Sequence, residues 1–261
     1  MLALIAGMGD LPMALVARLP ERPLVCALDG FEPILQTDIT FRLEHLGTFL
    51  QTLQARGVTQ ICMAGAVRRP QIDPAAIDAA TMPLIPKVQA AMAKGDDGAL
   101  RVIISLLEEA GFAVVAAHEI APDLLPEAGV LTQAVPGSDH KTSAMLGDDC
   151  IAAMGAADVG QACIMSAGQV LAKEGPDGTD AMLSSLSGAH DAILFKAPKP
   201  QQDLRADLPL IGPDTAKRAV EAGLAGIVIE AGGVMVLDLA EVLAALDAHG
   251  LFLWVRPKGD A

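Results

Sequence analysis

Between Lys196 and Gly212 the chain reads Lys-Ala-Pro-Lys-Pro-Gln-Gln-Asp-Leu-Arg-Ala-Asp-Leu-Pro-Leu-Ile-Gly. Three cations, Lys196, Lys199 and Arg205, share this stretch with two carboxylates, Asp203 and Asp207, and three prolines. A phosphate ester needs cations to neutralise it, and a carboxylate to hold a divalent metal or position water. The backbone must also be stiff enough to keep these groups in place. This one segment supplies all of them.

Other stretches carry chemistry at lower density. In Ala6-Gly7-Met8-Gly9-Asp10-Leu11-Pro12, a glycine turn follows an apolar run and opens a helix. Gly7 and Gly9 would let backbone amides approach an anion at the positive helix end. A dinucleotide fingerprint wants a third glycine where Pro12 stands, and Asp29 is only the nearest acid to the second strand. Nicotinamide binding is therefore disfavoured, leaving another phosphate contact or a purely structural turn. Ala64-Gly65-Ala66-Val67-Arg68-Arg69-Pro70 sets two arginines past a strand, where parallel sheets bind ligands, although solvated cations close strands equally well. Lys94-Gly95-Asp96-Asp97 is explained by a helix stop followed by a cap. His118 reads as a structural histidine.

Glu174-Gly175-Pro176-Asp177-Gly178-Thr179-Asp180 joins three carboxylates to a hydroxyl. Oxygen ligands of this kind suit Mg²⁺, while the plain alternative is a polar loop with Thr179 as helix cap. No Ser-His-Asp order, His-x-x-x-His spacing or Walker loop is present.

The elements that position these residues follow from periodicity. Residues 1–130 alternate short apolar strands (1–6, 23–28, 61–67, 113–117) with helical stretches (12–18, 43–56, 84–93, 98–110). That alternation predicts a doubly wound, mostly parallel sheet of Rossmann-like α/β type. Leu131–Lys141 loses periodicity and collects Pro136, Gly137, Ser138 and Asp139, which places the domain boundary there. Residues 131–261 read as a mixed α/β or α+β domain. It has a hairpin at Ala167-Gly168, a strand to Lys196, a helix ending at Gly223 and two apolar runs around Gly232-Gly233.

Composition bounds the partners. The 261 residues are 52% hydrophobic with a net charge of −14, which argues against nucleic acid. Mean hydropathy is +0.44, yet the longest apolar candidate, 225–237, is broken by Glu230 and a glycine pair, so a membrane span is not expected. The N-terminus lacks a signal-peptide pattern. The four scattered cysteines form no Cys-x-x-Cys pair and fit a reducing cytoplasm rather than zinc or disulfides.

With these motifs in order, the chain resembles the LpxI-type UDP-2,3-diacylglucosamine diphosphatases of lipid A biosynthesis in some Gram-negative bacteria. The likeness rests on Ile5–Pro12, Ala64–Pro70, Lys94–Asp97, Gly178–Leu183, Lys196–Pro200 with Arg205–Pro209, and Ala222–Val228. It implies Mg²⁺-dependent hydrolysis of the sugar nucleotide's diphosphate to UMP and 2,3-diacylglucosamine 1-phosphate (lipid X), with water attacking the phosphorus nearer the sugar. By the same resemblance, Asp207 falls on the family's essential aspartate and serves metal binding or water activation. Asp180 and Thr179 become metal or phosphate neighbours. Lys199, Arg205 and Gln202 become phosphate contacts, joined by Lys196, Arg69, Gly7 and Gly9 in holding substrate. Asp177 departs from the pattern, since Glu is expected before Gly-Thr-Asp.

Two acyl chains would need an apolar home, at about 0.8 kcal/mol per buried methylene, and a crevice between the domains is the expected place. The reading is compatible with a cytoplasmic protein touching the inner membrane peripherally, and with a homodimer. Its alternatives are a hydrolase of another sugar nucleotide and a non-catalytic lipid or sugar-nucleotide binding module.

Overall fold

The computed structural model describes residues 1–68, 71–92, 95–200 and 202–258. The chain divides into two compact units. One comprises Met1–Pro122 and Asp203–Asp207, the other Asp123–Gln202 and Leu208–Ala261.

The first unit runs β1 (Leu2–Ala6), α1 (Leu11–Val16), β2 (Leu24–Leu28), β3 (Ile39–Phe41), α2 (Leu46–Ala55), β4 (Gln60–Ala64), α3 (Ile85–Met92), α4 (Gly95–Glu109), β5 (Ala113–Val114) and α5 (Ala117–Ile120). Its five strands lie in the order β3-β2-β1-β4-β5, every pairing parallel, as the strand–helix alternation predicts. Leu46, Phe49, Leu50 and Leu53, one stripe of α2 at helical spacing, are buried with Leu106 and Leu107 of α4 against Ala3, Cys26 and Ile61 of the sheet. Each such side chain contributes about 1.5–3 kcal/mol when fully buried.

Two expectations change in detail. β3 has too few residues to show a period, and β2 recruits it through Cys26, Ala27 and Leu28. The expected strand at 113–117 ends at Val114 because Ala117 already opens α5, where Glu119 Oε2 accepts the Ala116 amide at 3.0 Å.

The second unit runs β6 (Gly129–Val130), α6 (Ser138–Ala156), β7 (Ala162–Ser166), β8 (Gln169–Lys173), α7 (Gly178–Ser184), β9 (Ile193–Lys196), β10 (Leu210–Ile211), α8 (Pro213–Ala222), β11 (Gly226–Glu230), β12 (Met235–Val236), α9 (Leu239–Ala248) and β13 (Phe252–Arg256). Its main sheet has the order β6-β13-β11-β9-β7-β8. Strands β13, β11 and β9 are mutually parallel, while β6 and β7 pair antiparallel at their flanks and β8 hairpins back on β7. The expected hairpin turn is present, with Ala167 (φ 46°) and Gly168 (φ 76°) both in the left-handed region that a two-residue turn requires.

Ala144, Cys150, Ile151 and Met154 of α6 cover one face of this sheet, against Phe195, Val228 and Phe252. Met182, Leu183, Ala219 and Val242, from α7, α8 and α9, cover the other, against Leu194, Ile227, Ile229 and Leu253. A mixed α/β layer results. The apolar run at Val234–Leu237 lies outside the main sheet. β12 pairs parallel with β10 in a separate two-stranded sheet, because backbone beyond Gly233 leaves the β11 line.

All four cysteines are buried and free. Burial pushes the thiols of Cys26 and Cys62 up to about 12, so they behave as small hydrophobes.

Candidate active site

The parallel core of the second sheet ends its strands on polar residues: Lys196 on β9, Glu230 on β11 and Arg256 on β13. Carboxyl ends of parallel strands are where open α/β sheets gather ligands. Lys196 pairs in register with Ile229, whose side chain lies in the core under α7, and this directs the lysine toward the same helix. There its ammonium donates to Thr179 Oγ1 at 2.7 Å. The Thr179 hydroxyl in turn donates to Glu174 Oε1 at 2.6 Å, and Glu174 Oε2 accepts the Gln161 amide at 2.6 Å. Lys196, Thr179 and Glu174 are all buried.

The network continues through Gln161. Its carbonyl accepts the Ala197 amide at 3.2 Å, and its side-chain oxygen accepts Gln202 Nε2 at 3.2 Å. Gln202 Oε1 accepts the Lys199 amide at 2.8 Å, while the Lys199 ammonium donates to Asp158 Oδ1 at 2.6 Å. Four of the residues expected from sequence therefore share one connected cluster: Lys196, Thr179, Lys199 and Gln202. The prolines fix its backbone as expected. Pro198 packs on Gly233 and Pro200 on Gly155, where an added Cβ would lie 2.7 and 3.0 Å from the proline Cδ atoms.

These stretches fall within two family models that between them span the chain. Residues 1–124 match the LpxI N-terminal domain and residues 127–254 the LpxI C-terminal domain. This chain belongs to the LpxI family. It is similar to the Caulobacter vibrioides protein named UDP-2,3-diacylglucosamine pyrophosphatase LpxI, at 35% identity over 274 residues and 98% of both chains.

In this LpxI family member, Asp207 and Arg205 lie in the segment that groups with the first unit. Asp203 organises a tight turn there: its carbonyl accepts the amides of Ala206 and Asp207 at 3.2 and 3.3 Å, and its Oδ1 accepts the Arg205 amide at 3.1 Å. The Arg205 guanidinium grips the same carboxylate from the side and reaches Glu108 Oε1 at 2.6 Å. These bonds hold the Asp203 carboxyl below its usual 3.8 and raise the pKa of the guanidinium further. Arg205 is thus engaged with two carboxylates, and Asp207, half-buried, is the acid this turn presents.

Asp180 follows Thr179 on α7 and sits 3.6 Å from Arg218 Nε, its side chain 48% exposed. Asp177 precedes α7 as its N-cap without a side-chain capping bond. In the first unit, the Gly7 and Met8 amides donate to the carbonyls of Ala64 and Ala66 at 2.8 and 2.9 Å. The two glycine loops are zipped together, and a Cβ on Gly7 would come within 2.6 Å of the Ala66 oxygen. Gly9 (φ 92°) turns the chain into α1. Arg69 and Lys94 lie outside the described residues.

Sequence reasoning missed three participants. Gln161 and Asp158 are isolated polar residues beside a strand, with no motif around them, and Glu108 is one of many acids on α4. It also gave Glu174 no role apart from its loop. Only the positive φ of Asp158 (52°) marks that position as special, and this is a property of the fold.

Proposed function

We propose that this chain hydrolyses UDP-2,3-diacylglucosamine to UMP and 2,3-diacylglucosamine 1-phosphate (lipid X). The observation that carries this reading is the end-to-end similarity to a protein of that name, and Lys196 and Thr179 of the buried network lie in the stretches on which the resemblance rests. Water attacks the phosphorus nearer the sugar, the bridging P–O bond breaks, and that oxygen leaves with UMP. The dianionic bridge repels incoming water, so fixed cations lower the barrier. Lys196 and Lys199 supply them from one rigid cluster. Gln202 orients the Lys199 backbone, the Thr179 hydroxyl holds the Lys196 ammonium, and Asp207 accepts the water's proton.

Among the described residues, no group of three or more His, Cys, Asp or Glu forms a protein-only metal cage. The oxygen donors fit Mg²⁺, which keeps several waters and takes one or two carboxylates beside substrate phosphates. By the resemblance, Asp207 and Asp180 are each a carboxylate that could ligate such an ion. When bound, the ion supplies charge neutralisation to the diphosphate.

No helix among the described residues is long and apolar enough to cross a membrane. The two acyl chains of the substrate nevertheless call for an apolar surface, and we place the protein in the cytoplasm in peripheral contact with the inner membrane.

The test is hydrolysis of UDP-2,3-diacylglucosamine by wild type and Asp207→Ala, with Mg²⁺ and with EDTA. UMP and lipid X from wild type alone, and only with metal, support the reading. In H₂¹⁸O the label enters lipid X. Folded wild type that binds substrate without turning it over overturns the reading in favour of a binding module.

A further inference from the structure

Glu174 is a buried carboxylate whose two oxygens face two donors. Oε1 takes the Thr179 hydroxyl at 2.6 Å and Oε2 takes the Gln161 amide at 2.6 Å. A glutamine of the same size cannot serve both, because its amide offers one acceptor and one donor. The chain also gives up a side chain to seat this acid: at Gly160 (φ 52°) an added Cβ would stand 2.8 Å from Glu174 Cβ and 2.6 Å from its carbonyl oxygen. Burying an ionised group is expensive, so a fold that needed only packing here has cheaper residues available.

The carboxylate has a directional effect. It draws the hydroxyl proton of Thr179 toward itself and leaves the oxygen's lone pairs for Lys196, which donates at 2.7 Å. The donor direction along Lys196, Thr179 and Glu174 is therefore set at its far end, by the carboxylate of Glu174. An ammonium has three N–H donors, and fixing one of them restricts where the other two point.

We propose that Glu174 is a positioning residue that acts through Thr179 to aim the Lys196 ammonium at the anionic bridge of the substrate. This rests on the diphosphatase reading above. Preorganisation of a cation before the reaction is the usual source of large electrostatic catalysis, and misplacing one costs turnover more than binding.

The experiment measures kcat and KM for UMP release from UDP-2,3-diacylglucosamine with Mg²⁺. The proteins are wild type, Lys196→Met, Glu174→Gln, Thr179→Val, the Glu174→Gln/Thr179→Val double variant and Thr179→Ser, each checked for folding by its melting curve. Glu174→Gln and Thr179→Val are each expected to lower kcat roughly tenfold or more while KM stays within about threefold. The double variant is expected to be no slower than the slower single one, since both break the same relay. Thr179→Ser, which keeps the hydroxyl, recovers most of the turnover lost in Thr179→Val.

Should Glu174→Gln fail to fold, Glu174→Asp takes its place: it keeps the charge but is too short to reach Thr179, and the same loss of kcat is expected. A folded Glu174 variant with wild-type kcat beside an inactive Lys196→Met overturns this inference and leaves the diphosphatase reading standing. Losses that multiply in the double variant also overturn it, because they show two independent structural roles. Absence of turnover in wild type removes the diphosphatase reading and this inference with it.

Discussion

Arg205 holds Asp203 through two parallel donors, Nε to Oδ1 at 2.9 Å and Nη2 to Oδ2 at 2.7 Å. The fork is local, only two residues along the chain, and its purpose is visible in the backbone. Asp203 also accepts three amides of the turn that carries Asp207. Planar bidentate pairing of this kind adds geometry as much as energy.

Asp203→Ala keeps the backbone carbonyl that takes two of these amides but removes the carboxylate that takes the Arg205 amide and guanidinium, so it should separate activity from stability. In Asp203→Ala, kcat is expected to fall roughly tenfold or more through misplacement of Asp207. Because the Arg205 side chain is 39% exposed, unfolding free energy should change by no more than about 1 kcal/mol. Steady-state kinetics alongside urea titration test both halves, and a folded variant with wild-type kcat counts against the positional role of the turn.

The glycine loops of the first unit are expected to matter for packing. Gly7 and Gly65 stand so close that a Cβ on Gly65 would lie 2.7 Å from the Gly7 backbone, and Gly65 has φ 91°. Overpacking of this kind costs about 1–3 kcal/mol, so Gly7→Ala and Gly65→Ala should each lower the denaturation midpoint, Gly65→Ala more because of its backbone. A loss under about 0.5 kcal/mol in both would contradict the crossing described here.

Acid stability should report on Glu44. This buried carboxylate accepts the Asp73 amide at 2.9 Å and the Arg42 guanidinium at 3.0 Å, which lower its pKa from 4.5 to about 2. A carboxyl depressed in the folded state stabilises fully above its unfolded pKa and loses that contribution as pH falls through the folded one. The stability difference between wild type and Glu44→Gln is thus expected to hold above pH 4.5 and shrink toward pH 2. Thermal melts across that window decide it, and a difference that stays constant disproves the linkage.

Metal removal should act on turnover and leave the fold alone, since the described residues gather no cage of three or more metal-binding side chains. EDTA is expected to abolish hydrolysis without moving the melting temperature, and added Mg²⁺ to restore it. Excess Mg²⁺ should not rescue Asp207→Ala. A large drop in melting temperature with EDTA would instead indicate a structural ion.

Much of this was legible in the linear sequence because the signals are local. The α2 stripe at Leu46, Phe49, Leu50 and Leu53, the Ala167-Gly168 turn and the Lys196–Asp207 density of charge and proline each lie within a few turns of chain. β3 and β10 were not legible, for strands of two or three residues have no period and exist only because a neighbour pairs with them.

The sequence by itself determined the two-part α/β organisation, the strand that ends on Lys196 and the identity of the charged residues, because periodicity and composition act over short range. Tertiary structure alone decided their partners. Antiparallel pairing of β7 with β9 sets Ala162 beside Lys196, which brings Gln161 to Ala197 and to Gln202, 41 positions away. The same folding sets Thr179 on Lys196 and Glu174 on Thr179, and it ties Arg205 to Glu108 across 97 positions. Hydrogen bonds with ångström tolerances between residues so distant depend on sheet register and helix placement, which no spacing in the chain encodes.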